Sequence, residues 1–173
     1  PRLIAGTVTT TRRQPVFLFS GLGNHSPQMG RQLATRVPLF RELLERRRSD
    51  VEQICGLALE QLLWEPSDRR EGVSWEHAAL FVLQIALADM WRELGVVPQV
   101  VMGHSAGEYA AACVAGIFDF AGGLSLVQER SRFIANSATP GFMAALFAPS
   151  DSVQSLLERL PVVQVAAING PLH

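Results

Sequence analysis

One serine in this 173-residue chain stands in the pattern that nucleophilic catalysis requires. Gly103-His104-Ser105-Ala106-Gly107-Glu108 lies between an apolar run, residues 96–102, and a small-residue stretch of helical character, residues 109–115. A serine between two glycines on a tight strand-to-helix turn has its oxygen lifted clear of the sheet. The N–H groups that follow it, Ala106 first, open a helix and are free to hold a developing oxyanion. The chemistry this points to is acyl transfer through a covalent acyl-serine. The plainer alternative is an ordinary turn in which Ser105 only caps the helix.

Other residue types narrow the chemistry. All 15 basic residues are arginine, which excludes a lysine nucleophile, a Schiff base or a P-loop lysine. Cys55 and Cys113 lie in apolar, helix-like surroundings without a C-x-x-C pair and read as buried, reduced thiols. The four histidines, His25, His77, His104 and His173, lack metal-ligand spacing, so no metal site is expected. His104 adjoins the serine on the turn, where its ring cannot lie in line for proton transfer, so it is read as lining the substrate site. The loop Gly21-Leu22-Gly23 follows a strand-like run, but the third glycine of a dinucleotide fingerprint is missing and Pro27 falls where the helix should begin.

The elements that must position these groups follow from periodicity. Residues 16–19 are continuously apolar, as in a strand buried on both faces. Residues 38–56 have helical spacing, and Ser49 with Glu52 could form a capping box that divides them into two helices. Residues 64–72 read as a loop, and residues 74–94 as a central helix apolar nearly all round, interrupted by Gln84. A further helix is expected over residues 120–135. After Thr139-Pro140-Gly141 come an expected strand (143–148), a helix capped by Ser150 (150–160) and a second strand (162–168). Residues 1–14 read as a tail or linker, 15–138 as the main subdomain and 139–173 as the start of a second. A net charge of −1 and 48% hydrophobic residues describe a packed globular chain with no general attraction to nucleic acid or membranes. No apolar run reaches the ~20 residues of a membrane span, and a cytoplasmic location is expected.

Four ordered segments then resemble the malonyl-CoA:acyl carrier protein acyltransferase family, and within it the acyltransferase domains of modular polyketide synthases. They are Phe17-Leu18-Phe19-Ser20-Gly21-Leu22-Gly23 running on to Met29-Gly30, the Ser105 turn through Tyr109, Leu126-Val127-Gln128-Glu129-Arg130, and Ala166-Ala167-Ile168-Asn169-Gly170-Pro171. The resemblance implies an α/β fold: a hydrolase-like subdomain with a parallel sheet, carrying an inserted ferredoxin-like subdomain whose beginning is residues 139–173. It implies that Ser105 takes a malonyl-type group from a coenzyme A thioester and passes it to the phosphopantetheine thiol of an acyl carrier protein, beside a ketosynthase and other synthase domains. It implies backbone oxyanion donors at Ala106 and His25, and Arg130 as the guanidinium that grips the free carboxylate of the acyl group. The family's base is a histidine expected downstream of residue 173, so the chain is read as part of a longer domain. Leu22, Asn24 and His25 depart from the family's usual Gln, Ser and Gln, and His77-Ala78 from its Gln-Pro. Tyr109 resembles the malonyl-selective members.

Two other functions share parts of this pattern. A serine hydrolase or thioesterase would use the same turn but needs an acid and then a histidine after the serine; Asp119 and Asp151 are present, a suitable histidine is not. A non-catalytic structural piece of a megasynthase is the third reading.

Overall fold

The computed structural model describes residues 14–65, 75–137 and 142–172, the side chains of Asn24 and Ser137 excepted. The expected tail (1–13), most of the expected loop before the central helix, the Thr139-Pro140-Gly141 break and His173 lie outside the described residues. The chain divides into two compact units, one through Ala138 and one from Thr139.

The first unit is built on two parallel strands, β1 (Val16–Phe19) and β2 (Val100–Gly103), in register from Val16 opposite Val100 to Phe19 opposite Gly103. Between them run a 3₁₀ turn (Leu22–Asn24), α1 (Arg31–Arg36), α2 (Pro38–Glu45), α3 (Arg48–Cys55), α4 (Leu59–Trp64) and α5 (Glu76–Glu93). After β2 come α6 (Gly107–Val114) and α7 (Phe120–Ser137). Side chains alternate across a strand, and only Phe17, Phe19 and Val101 join the core. Val16, Leu18, Val100 and Met102 are exposed. The expectation of a strand buried on both faces therefore fails here, because the packed helices of this unit cover one face.

α5 is the central post. An apolar surface all round has to be buried all round, and eleven of its residues are, among them Ala78, Phe81, Val82 and Ala86. It packs against α2, α6 and α7. Phe81 stacks on Phe120 of α7 with ring centroids 5.5 Å apart. Arg47 at the start of α3 reaches Asp89 of α5 at 2.6 Å, and its guanidinium lies 4.8 Å above the Phe120 ring, so one cation ties three helices.

The helical region 38–56 does divide in two, but not at Ser49. The break is Arg46–Arg47, where the Arg47 N–H turns to Leu44 O at 2.9 Å; Arg47 is the N-cap, and Ser49 lies inside α3. α4 was not expected, although Leu59, Leu62 and Leu63, all buried, carry helical spacing. Trp64, expected in a loop, is its last residue.

In the second unit the helix is present as α8 (Ser150–Leu157), with Pro149 rather than Ser150 at the N-cap. The strands expected at 143–148 and 162–168 are not formed. A strand is stabilised by its ladder partner, and among the described residues neither segment has one; Met143, Phe147 and Val162 are largely exposed. No helix among the described residues is long and apolar enough to cross a membrane.

Candidate active site

The site is assembled where β2 runs into α6. Ser105 holds φ at +52°, a left-handed conformation that a residue with a Cβ rarely adopts. The turn is closed by Gly107 N–H to His104 O at 3.0 Å and Glu108 N–H to Ser105 O at 3.1 Å. The flanking glycines are needed for space. A Cβ on Gly103 would lie 2.3 Å from Glu108 Cα, and one on Gly107 would lie 2.1 Å from Phe19 O. With those two Cβ atoms absent, α6 can start directly against the end of β1, and the serine is pushed outward. Ser105 is exposed, while Ala106 beneath it is 7% exposed.

The loop after β1 closes over this turn. The His104 N–H donates to Phe19 O at 2.9 Å. Gly21 faces the serine so closely that a Cβ there would sit 3.4 Å from Ser105 Cβ and 3.5 Å from His104 Nδ1. Ser20, Gly21, His104, Ser105 and Ala106 thus form one cluster, with the His104 ring at its rim. His25 does not contribute the expected donor: its N–H is given to Leu22 O at 2.8 Å, closing the 3₁₀ turn. Leu22 is the residue of this loop that sequence reasoning overlooked. It opens the turn, its N–H has no acceptor among the described residues, and it follows the glycine that faces the serine.

Arg130 stands on α7, which packs on α6. Its neighbour Arg132 is spent on Glu129 at 2.5 Å. Arg130 has no such partner among the described residues, and its buried Nη1 has no hydrogen-bond acceptor there. A buried cationic donor without an acceptor is costly, and an incoming carboxylate would relieve it. The next residue, Ser131, is buried; its hydroxyl donates to Val127 O at 3.0 Å and lies 3.3 Å from His77 Nδ1, joining α7 to the first turn of α5. Among the described residues nothing hydrogen-bonds the Ser105 hydroxyl. Two open clefts, of about 620 and 880 Å³, meet at Gln28 and Arg31; neither Ser105 nor Arg130 lines either of them.

Residues 16–173 match the family model described as "Acyl transferase domain". The chain belongs to that family. It is 36% identical over 173 residues to the non-reducing polyketide synthase PKS16 of Cladonia grayi, covering 94% of this chain and 8% of that protein. The acyltransferase domain of the polyketide synthase PpsC of Mycobacterium tuberculosis superposes with a TM-score of 0.78 at 33% identity, covering 91% of this chain and 47% of that one. The malonyl-CoA:ACP transacylase of Synechocystis sp. PCC 6803 superposes with a TM-score of 0.71 at 28% identity, covering 83% and 47%. The chain is therefore an α/β member of the acyl transferase domain family, and it spans less than a tenth of the curated synthase and about half of the two solved chains it matches.

Proposed function

We propose that this acyltransferase domain loads a malonyl-type acyl group from coenzyme A onto Ser105 and delivers it to the phosphopantetheine thiol of an acyl carrier protein, as one station of a polyketide synthase with a ketosynthase and other domains as neighbours. The observation that carries the reading is the Ser105 turn: a strained, exposed hydroxyl set between two glycines that admit no side chain, at the start of α6. The relatives' names, a polyketide synthase and a malonyl-CoA:ACP transacylase, support the substrate and the acceptor.

In this reading Ser105 Oγ attacks the thioester carbonyl, the C–S bond breaks, and coenzyme A leaves as the thiol. The carrier thiol then attacks the acyl-serine and restores the hydroxyl, so one difficult exchange becomes two easier ones. The carbonyl oxygen that gains charge in each step is held by the N–H groups of Ala106 and Leu22, Leu22 replacing His25 in that role. Arg130 pairs with the distal carboxylate and His104 lines the rim. By the family resemblance a histidine base takes the Ser105 proton and passes it to the departing coenzyme A sulfur. The unpaired Arg130 favours transfer of a dicarboxylic group over simple thioester hydrolysis, which has no need of it.

Mass spectrometry of the full-length protein after incubation with malonyl-CoA tests this directly. A malonyl adduct on the peptide carrying Ser105 is expected, and Ser105→Ala abolishes it. An adduct that persists in the variant rejects the mechanism.

A further inference from the structure

Gln84 is the one polar side chain among the buried residues of α5, with 9% of its surface exposed. Its Nε2 donates to Ser20 O at 2.8 Å, while its Oε1 is buried without a partner among the described residues. A half-satisfied amide inside a packed helix carries a cost that an apolar residue of the same length would not. Stability alone therefore does not account for it. Its one hydrogen bond falls on the peptide that leads into the serine loop. Ser20 C=O and Gly21 N–H belong to a single planar trans peptide and point in opposite directions. A carbonyl held toward α5 leaves the Gly21 N–H turned away from α5. The same carbonyl oxygen lies 2.8 Å from where a Cβ of Gly107 would be, so it is wedged between α5 and the start of α6. The next residue but one is Leu22.

We infer that Gln84 is a positioning residue for the oxyanion site: through Ser20 O it fixes the plane from which Gly21 and Leu22 run, and so aims the Leu22 N–H at the acyl oxygen on Ser105. This rests on the acyl-transfer reading above. A donor displaced by even ~1 Å loses much of its effect on the transition state and little of its effect on ground-state binding.

Two substitutions in the full-length protein test it by single-turnover acylation of Ser105 from malonyl-CoA. Gln84→Met keeps the length and removes the donor. Its maximal acylation rate is expected to fall about 10- to 100-fold. Its half-saturating concentration should change less than about threefold, with no loss in melting temperature. Gln84→Glu can donate to Ser20 O only when protonated, so its rate relative to the parent should rise as the pH falls. Acylation of Gln84→Met at the parent rate overturns the inference, as does a loss confined to half-saturation or a Gln84→Glu ratio that is flat with pH. If the parent forms no malonyl adduct, the acyl-transfer reading has failed instead. Labelling of Ser105 by a fluorophosphonate, which also develops charge on an oxygen beside the serine, then decides the role of Gln84 by the same comparison.

Discussion

Arg130 carries a charge whose inner N–H group is buried and finds no acceptor among the described residues, while Arg132 two positions on is tied to Glu129. Replacing a half-buried cation whose inner N–H group is unpaired by an apolar chain of similar length removes a desolvation cost, so Arg130→Met should leave stability unchanged or raise it. On the proposed function its effect belongs to the substrate. A bidentate guanidinium–carboxylate pair shielded from water contributes a few kcal/mol, so acylation of Ser105 by malonyl-CoA should drop about 100-fold in the variant. Acetyl-CoA, which offers no carboxylate, should react about as before. Donor competition read by mass spectrometry measures the ratio, and an unaltered malonyl preference would remove Arg130 from the site. The same logic of unmet hydrogen bonding separates Leu22 from His25: one N–H stands open at the head of the 3₁₀ turn, the other closes it.

At the scale of elements, the junction of β1, β2 and α6 depends on the missing Cβ of Gly107. In Gly107→Ala the new methyl would meet Phe19 O at 2.1 Å and Ser20 O at 2.8 Å, backbone atoms that cannot rotate aside. α6 would have to lift from the strand, with a loss of about 1–3 kcal/mol typical of overpacking, and Ser105 would lose its acylation with it. Gly116→Ala is the contrast. That glycine has φ +79° but nothing within 4 Å of a Cβ, so the strain costs about 1 kcal/mol and the serine keeps its reactivity. Urea denaturation and adduct formation on both variants separate close approach from backbone strain; equal loss of acylation in the two would refute the distinction. This junction was legible in the sequence because Gly-x-Ser-x-Gly between an apolar run and a helical stretch states its own geometry. α5 and α7 were legible because their apolar residues repeat over enough length, and β1 because its four residues form an unbroken apolar run. The boundary at Arg46–Arg47 was not, because a capping motif at Ser49 and Glu52 competed with a two-residue turn in right-handed helical backbone that carries no motif. α4 has only six residues, fewer than two turns, and left a faint periodic signal. Residues 143–148 and 162–168 have strand-like composition, but composition cannot supply the neighbour that a ladder needs. Gln84 reads in the sequence as an interruption; only the position of Ser20 O turns it into a contact.

Across the whole first unit, stability comes from helices gathered around α5, and the interior they make excludes charge. Cys55 on α3 lies in that interior, 7% exposed. Burial, the largest influence, pushes its thiol from 9.0 up to about 11, against smaller opposing effects of the Gln128 amide and the Arg132 charge. Cys113 on α6 is raised for the same reason. A thiol whose native value lies above its unfolded value stays protonated in the folded chain while the unfolded chain ionises. The stability linked to Cys55 is therefore whole below pH 9 and is lost as the pH climbs toward 11. For one group the slope reaches at most about 1.4 kcal/mol per pH unit. The three tryptophans, Trp64, Trp75 and Trp91, all belong to the first unit, so their fluorescence reports its unfolding. Urea titrations at about pH 8 and about pH 10 should show the parent losing more stability between the two than Cys55→Ala does. The variant is less stable at both pH values because it leaves a small cavity, but its pH slope is shallower. Equal slopes would mean that water reaches the Cys55 thiol in the folded state, and that the α3–α7 contact is looser than its burial implies.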